Sequence, residues 1–565
     1  MLRIDLPQEK KKGHLTLLRE TRTLRAGEYN ALTVEERLRI VRNAVGRQKY
    51  DLIIEAADGT ELVQRLPSQE IYLLFKELGV EDCTELLAMT STEQMMIFFD
   101  LDFWRDEEFL PDSALQWLAM LLETGEGNVL RMTRELDFDL LTVLLQKFIT
   151  ITRGLESLTD EDALAEGRLE RLYDMDFRDS ESAKIVGMFL DILYRHDRDF
   201  YIGLMESTRN EIPAEVEEIA LENRRGRLLD RGFPDPLEAL SVFSPIDAGI
   251  FERRSERKIP FQAGEHGVEA PGFFLVEPAG DLLGEILSRG IEPGTCWEMA
   301  YLLNKVMMAE RADVGDLEQI AEKAREVYGY LNIALEYLGR GDFEEAMQRF
   351  THAYLEHLLR LGLGLVMSLR DRALVVKESG AMAFLDGPFR TLIESLCRKR
   401  PRFYEGMTEI NRTGERFFQR LDDIRLAEQW LSRIEIQVQL FDGRLGFDLP
   451  DPQGEVLKGC VPDQVGDLAL SDLFLTAWGN RLLGRDFSPV PIARRYLPEL
   501  HKAVCVDGTL REEVRREIRQ ATESLLPGAG EFADYCLDLW QEQFCALAPD
   551  GLDARFIGAM IIRLD

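Results

Sequence analysis

Long apolar runs are missing from this sequence. The most apolar stretch, Leu358–Leu369, is broken by Arg360 and carries Gly362 and Gly364. It falls far short of the ~20 residues a bilayer span needs. The N-terminus, MLRIDLPQEKKKGHLTLLRE, has charges where a signal peptide has its apolar core, so no secretory leader is expected. Cysteine is scarce. Seven residues, an odd number with no C-x-x-C pair, argue against a disulfide framework and the common zinc spacings, and fit a reducing cytoplasm. Positive charge is in deficit, with 68 Lys+Arg against 102 Asp+Glu and a net charge of −34. Phosphate would be repelled by most of such a surface, which makes nucleic acid an unlikely general partner. Catalytic signatures are absent too. There is no G-x-x-x-x-G-K-[ST] loop and no G-x-S-x-G elbow. Gly362-Leu363-Gly364 is not a dinucleotide fingerprint, because Met367 takes the place of the third glycine and no strand precedes it.

What is present is an ordinary globular composition: 45% hydrophobic residues in a chain of 565, enough for three or four domains or one long repeat array. Charge is unevenly placed. Residues 1–50 hold 12 Lys/Arg and 6 Asp/Glu, which leaves −40 for residues 51–565. The basic arm either docks on its own acidic body or touches an anionic partner.

Helical periodicity dominates. Thr33-Val34-Glu35-Glu36 reads as a capping box before the stripe Leu38, Val41, Ala44, Val45. Pro67-Ser68-Gln69-Glu70 opens a helix that Gly79 ends. Shifting the frame by 45 residues lays Ser68 on Ser113, Tyr72 on Trp117, Leu73 on Leu118, Phe75 on Met120 and Met95 on Leu140. That period suits two- or three-helix solenoid repeats. Leu158–Asp162 reads as an acidic loop and helix start, and further helices are expected over 181–194, 196–207 and 213–231. The Pro- and Gly-rich residues 244–280 read as a linker or wrapping loop. Helices resume over 281–376, with breaks at Ser379–Pro388 and between Phe441 and Gly466. Helices over 389–397, 408–440, 470–484, 509–525 and 529–546 complete the chain. The alternation Ile434–Leu440 is the best strand candidate, although it continues a helix.

The most specific local pattern lies within residues 328–358. Tyr330, Ile333, Ala334, Tyr337, Gly341, Phe343, Ala346, Phe350 and Ala353 fall where the tetratricopeptide repeat has its small and aromatic positions. The resemblance fails at Leu358, where that family has proline. It implies a helix–turn–helix with Gly341 at the turn. The positions matching the family's peptide-binding face are Leu331, Leu335 and Leu338, which read as packed against another helix.

No metal site is expected. His352 and His357 lie about 140° apart on one helix, a spacing that zinc motifs do not use. His501 and Cys505 could share a helix face, but two ligands do not make a site. His14, His196 and His266 have no cysteine nearby. Trp104-Arg105-Asp106-Glu107-Glu108 lacks the glycine of a calcium loop and reads as solvated. One basic cluster stands out: Arg398, Lys399, Arg400 and Arg402, beside Phe403 and Tyr404. It either complements the carbonyl end of the preceding helix or binds an acidic segment, phosphate or nucleic acid.

Leu66–Glu70, Arg231–Leu240 and Tyr330–Leu338 together resemble an uncharacterised family of bacterial cytoplasmic proteins, which implies no activity. Residues 68–145 also look like the helical superhelix preceding some magnesium transporters, an analogy of fold alone. The fold class expected is all-α and multi-helical, in a solenoid or superhelical repeat-like arrangement. The divisions are a basic arm with first helix (1–50), a repeat-like domain (51–243), the linker (244–280), a domain holding the hairpin (281–378) and a C-terminal helical domain (379–565). No catalytic residue, cofactor or metal is assigned. The function expected is a cytoplasmic scaffold or adaptor for protein partners, with Arg398, Lys399, Arg400 and Arg402 as the contact. The alternative is an enzyme whose site lies in a helical cavity, recognisable by converging polar groups.

Overall fold

The computed structural model describes residues 4–12, 15–24, 26–105, 107–153, 173–253, 258, 280–409, 412–452, 457–549 and 552–564. Leu158–Asp162, His14, His266 and most of the 244–280 linker lie outside them. The fold is all-α, with 26 α-helices among the described residues and strands that pair in small ladders. Two compact units divide the chain. One comprises residues 1–244, 257–327 and 354–356, the other residues 245–256, 328–353 and 357–565.

In the first unit the capping box forms as the sequence predicts. The Glu36 N–H donates to Thr33 Oγ1 (3.3 Å) and the Thr33 N–H donates to Glu36 Oε2 (2.9 Å), which starts the helix Val34–Asn43. The residues related by the 45-residue shift lie in matching elements. Ser68–Leu78, Thr84–Met89 and Thr92–Asp102 are followed by Pro111–Glu123, Glu126–Glu135 and Phe138–Phe148. Tyr72, Phe75, Met95, Trp117, Leu118, Met120 and Leu140 are all buried. Phe75, Phe98 and Trp117 meet edge-on or tilted at 5.5–5.8 Å, geometry that aromatic quadrupoles favour. In the same unit, fully buried Asp100 is held by Arg227 (2.7 and 2.8 Å), which also pairs with Asp137 at 2.6 Å.

Trp104–Arg105 and Glu108–Phe109 pair as a two-stranded hairpin, and Glu107 bonds Arg225. The solvated-loop reading therefore holds for part of that run only, since Trp104 and Phe109 are core residues. Near the N-terminus, Ile4–Lys12 pairs antiparallel with Leu15–Leu24.

In the second unit a helical hairpin occupies the predicted place. The turn between Leu317–Gly339 and Phe343–His352 puts Arg340 at φ +48° and Gly341 at φ +87°. A Cβ on Gly339 would lie 2.9 Å from Ala346 Cβ, so these small residues mark the contact between the two helices. Leu331, Leu335 and Leu338 are buried. Gly362 and Gly364 serve the same purpose on Leu355–Lys377, where a Cβ would collide with the carbonyls of Tyr330 and Ile246.

Three expectations are corrected. The helix expected over 408–440 begins at Leu421 and runs to Phe441, because Phe403–Tyr404 and Glu415–Arg416 pair first. Ile434–Leu440 is wholly helical. His352 and His357 are not on one helix, since the chain breaks at Ala353-Tyr354. Several elements have no counterpart in the sequence pattern, among them the helices Gly46–Ile54, Gly59–Arg65 and Leu497–Val504, the strand pairs Ile4–Lys12/Leu15–Leu24 and Ile149–Arg153/Asp174–Phe177, and a three-stranded ladder of Cys460–Val461, Ile562–Arg563 and Ile492–Ala493.

Candidate functional site

The two sequence breaks at Ser379–Pro388 and Phe441–Gly466 precede helices whose starts converge in the second unit. Asp386 sits at the N-cap position of Gly387–Leu396, followed by Pro388 in the first turn. An N-cap aspartate ordinarily accepts from its own helix. Asp386 makes no such bond. Its carboxylate instead accepts from the Ser471 hydroxyl at 2.5 Å, the Ser471 N–H at 3.4 Å and the Tyr535 hydroxyl at 3.4 Å. Ser471 and Asp472 belong to the first turn of Leu470–Leu482, and the Asp472 carboxylate accepts from the Ala469 N–H at 2.8 Å. Tyr535 comes from a third helix, Gly530–Trp540.

These groups line a pocket of about 480 Å³ together with Arg390, Asp467, Leu539, Gln543 and Ala559. Burial pushes the Asp386 carboxyl above the ordinary aspartate range, against the opposing pull of the Ser471 and Tyr535 donors. Burial also raises Asp472, to about 6. The Ala469 N–H opposes that rise and the Asp386 charge adds to it. Tyr535 and the wholly buried Cys536 are driven up by burial and then by Asp386, so both stay protonated. The Asp386 charge thus helps to hold the Asp472 proton up to about pH 6, well above the ordinary aspartate range.

The surrounding backbone is unusual. Gly530–Trp540 continues into a π turn, Gln541–Cys545, which carries Gln543 into the pocket wall. Such turns recur at functional sites. Ala559 has φ +59°, a left-handed conformation that an L side chain enters at a cost of roughly 1–2 kcal/mol, and strain of this kind also gathers at functional sites. Arg390 donates to the Ala383 carbonyl, and its buried Nε has no hydrogen-bond partner among the described residues.

The basic cluster lies past the other end of Gly387–Leu396. Arg398 pairs with Glu415 at 2.7 Å, and its carbonyl accepts from Arg370 Nε at 3.1 Å. Arg402 stacks 3.4 Å above the Phe417 ring, while Arg416 lies 4.0 Å above Phe403 and grips Asp423 with two bonds of 2.8 Å. Lys399 is exposed and Arg400 half-buried. Phe403 and Tyr404 are buried. The fold thus joins Arg398 and Arg402 to the 403–416 hairpin and separates all four cluster residues from the pocket.

His501 is buried against Phe544, with ring centroids 5.2 Å apart. Cys505 does not share its helix face, because the helix ends at Val504. Cys505 is instead bonded to Cys545, with Cα atoms 5.4 Å apart. A sequence with too few cysteines for a disulfide framework still carries one such bond, across 40 residues. Among the described residues no group of three or more His, Cys, Asp or Glu is arranged to hold a metal ion. Among those residues, too, no helix is long and apolar enough to cross a membrane.

Asp386, Ser471, Asp472, Tyr535 and Gln543 carry no signal in the sequence that singles them out. They come from three separate segments, and each aspartate looks like an ordinary helix-start residue. The chain matches no curated protein and no solved structure. The model of the family of unknown function DUF6178 matches residues 26–563, nearly the whole of both units, and the chain belongs to that family.

Proposed function

We propose that this protein binds a small polar ligand in the Asp386–Asp472 pocket and exchanges a proton with it. One observation carries the reading: two carboxyls, buried Asp386 and half-buried Asp472, both raised, open on one cavity of about 480 Å³. Asp472, near 6, gives or takes a proton close to neutral pH. Asp386, with hydroxyl and amide donors, is the member fitted to carry the charge. Such a pair serves general acid–base chemistry, which contributes typically ~10²–10⁴-fold to a rate. Gln543 and Tyr535 supply neutral contacts that would orient a hydroxyl- or amine-bearing ligand.

The test is a thermal-shift screen of the full chain with sugars, amino acids, polyamines and dicarboxylates. Asp386→Asn and Asp472→Asn variants are run alongside. A compound that stabilises the parent and neither variant supports the reading. A panel with no stabiliser, or one acting equally on all three proteins, refutes it.

A second reading is a cytoplasmic helical-repeat scaffold for protein partners. The matching helical elements over residues 68–148 and the exposed Lys399 beside half-exposed Arg398 support it. Replacing exposed Lys399 by Glu should weaken capture of an acidic partner while leaving the melting temperature unchanged; undiminished capture would refute the basic contact.

A further inference from the structure

We propose that the Cys505–Cys545 disulfide is a redox control on the carboxylate pocket, a proposal that rests on the reading of that pocket as the functional site. The bond closes two residues beyond Gln543 of the pocket wall, and neither cysteine lines the cavity itself. Cys545 is the last residue of the π turn Gln541–Cys545, and the continuous element Gly530–Cys545 carries Tyr535, Leu539 and Gln543 on the cavity. Cys505 opens the hairpin Cys505–Val506/Thr509–Leu510. Within the turn, the Ala546 N–H reaches the Gln541 carbonyl at 3.1 Å, and Phe544 is wedged between His501 and Trp540. The disulfide adds the covalent tie. The other cysteines, Cys83, Cys296, Cys397, Cys460 and Cys536, are free thiols.

A dithiol reductant would act as follows. Its thiolate attacks Sγ of Cys505, the more exposed partner at 5% against 0% for Cys545. The S–S bond breaks, and Cys545 leaves as a thiolate and takes a proton. The second thiol of the reductant then attacks the mixed disulfide and releases Cys505 as a thiol. The pair gains two electrons and two protons, and the reductant becomes its own disulfide. With the tie cut, the π turn is held by packing and backbone bonds alone. Gln543 then loses its fixed place on the pocket, and the wall opens more often.

The experiment uses the full chain purified without reductant. Iodoacetamide alkylation under denaturing conditions, read by intact mass, should modify five cysteines before dithiothreitol and seven after it. Hydrogen–deuterium exchange is then compared for the oxidised protein, the reduced protein and the Cys505→Ser/Cys545→Ser double variant. Peptides over 530–545 should exchange about tenfold faster or more in the last two, while Pro111–Glu123 in the other unit is unchanged. Seven modified cysteines without reductant, or equal exchange over 530–545 in all three proteins, would overturn the redox control and leave the pocket reading untouched. A ligand screen without a hit removes the pocket reading and this control with it, even where exchange responds to reduction.

Discussion

Replacing Asp472 by Asn should remove a pH dependence from the stability of the second unit. An unfolded aspartate titrates near 3.9, whereas folded Asp472 sits at about 6. The native state therefore holds this proton more tightly than the unfolded chain does. Its contribution is complete below the unfolded value, and it is lost as pH rises through the folded one. A proton held roughly a hundredfold more tightly is worth about 3 kcal/mol, which disappears between about pH 4 and pH 7. Asn cannot ionise, yet its side-chain oxygen still accepts from the Ala469 N–H, so the helix start survives. The assay is urea unfolding from pH 4 to pH 8, followed by hydrogen exchange in Leu470–Leu482. Asp386 is common to both proteins, so the difference between them isolates Asp472 and its coupling. Asp472→Asn should gain up to about 3 kcal/mol on the parent as pH rises from 4 to 7. A parent–variant difference that stays constant with pH would refute the reasoning.

Three more outcomes follow from the packing. Ala346→Leu should overfill the contact with Gly339 and destabilise by roughly 1–3 kcal/mol, whereas Arg340→Ala, whose side chain is 75% exposed, should stay within about 0.5 kcal/mol; equal melting temperatures would contradict the hairpin contact. Gly362→Ala drives a Cβ into the Tyr330 carbonyl and should lower the melting temperature more than Gly380→Ala, which meets open space; the reverse order would show the close approach to be unimportant. Arg227→Met leaves Asp100 buried and unpaired and should cost about 3–5 kcal/mol at pH 7 in urea unfolding, less at pH 4, where Asp100, already raised by burial, takes up a proton. A pH-independent loss would argue against an uncompensated charge as its cause.

The all-α class is legible because caps, stripes and glycine stops agree with one another. Thr33 and Glu36 form the box their spacing implies, and Pro213 opens the helix Pro213–Asp230. Errors fall where tertiary pairing outweighs local pattern. Phe403–Tyr404 pairs with Glu415–Arg416 across a loop, and the helix starts only after it. The disulfide is illegible for a related reason, since nothing local in Cys505 and Cys545 announces a bond across 40 residues. The pocket shows the limit most clearly. Both breaks that lead into it are readable from glycine and proline, but their convergence depends on how separate helices pack.

Local chemistry then separates this pocket from an ordinary pair of helix starts. An aspartate at an N-cap contributes about 1 kcal/mol when it bonds its own helix. Asp386 leaves that bond unmade and turns to Ser471 and Tyr535 instead. Asp472 does bond a helix-start amide, but from a half-buried position where its charge is disfavoured. Asn at 472 would keep the bond without that penalty. A chain shaped by stability alone would relax both choices, along with the left-handed Ala559 and the π turn beside them. Four departures from local preference meet on one cavity, and each is costly where it stands. For the two carboxyls, that departure is what the proton-exchanging site proposed above would call for, because a carboxyl that is comfortable as an anion cannot act as an acid near neutral pH.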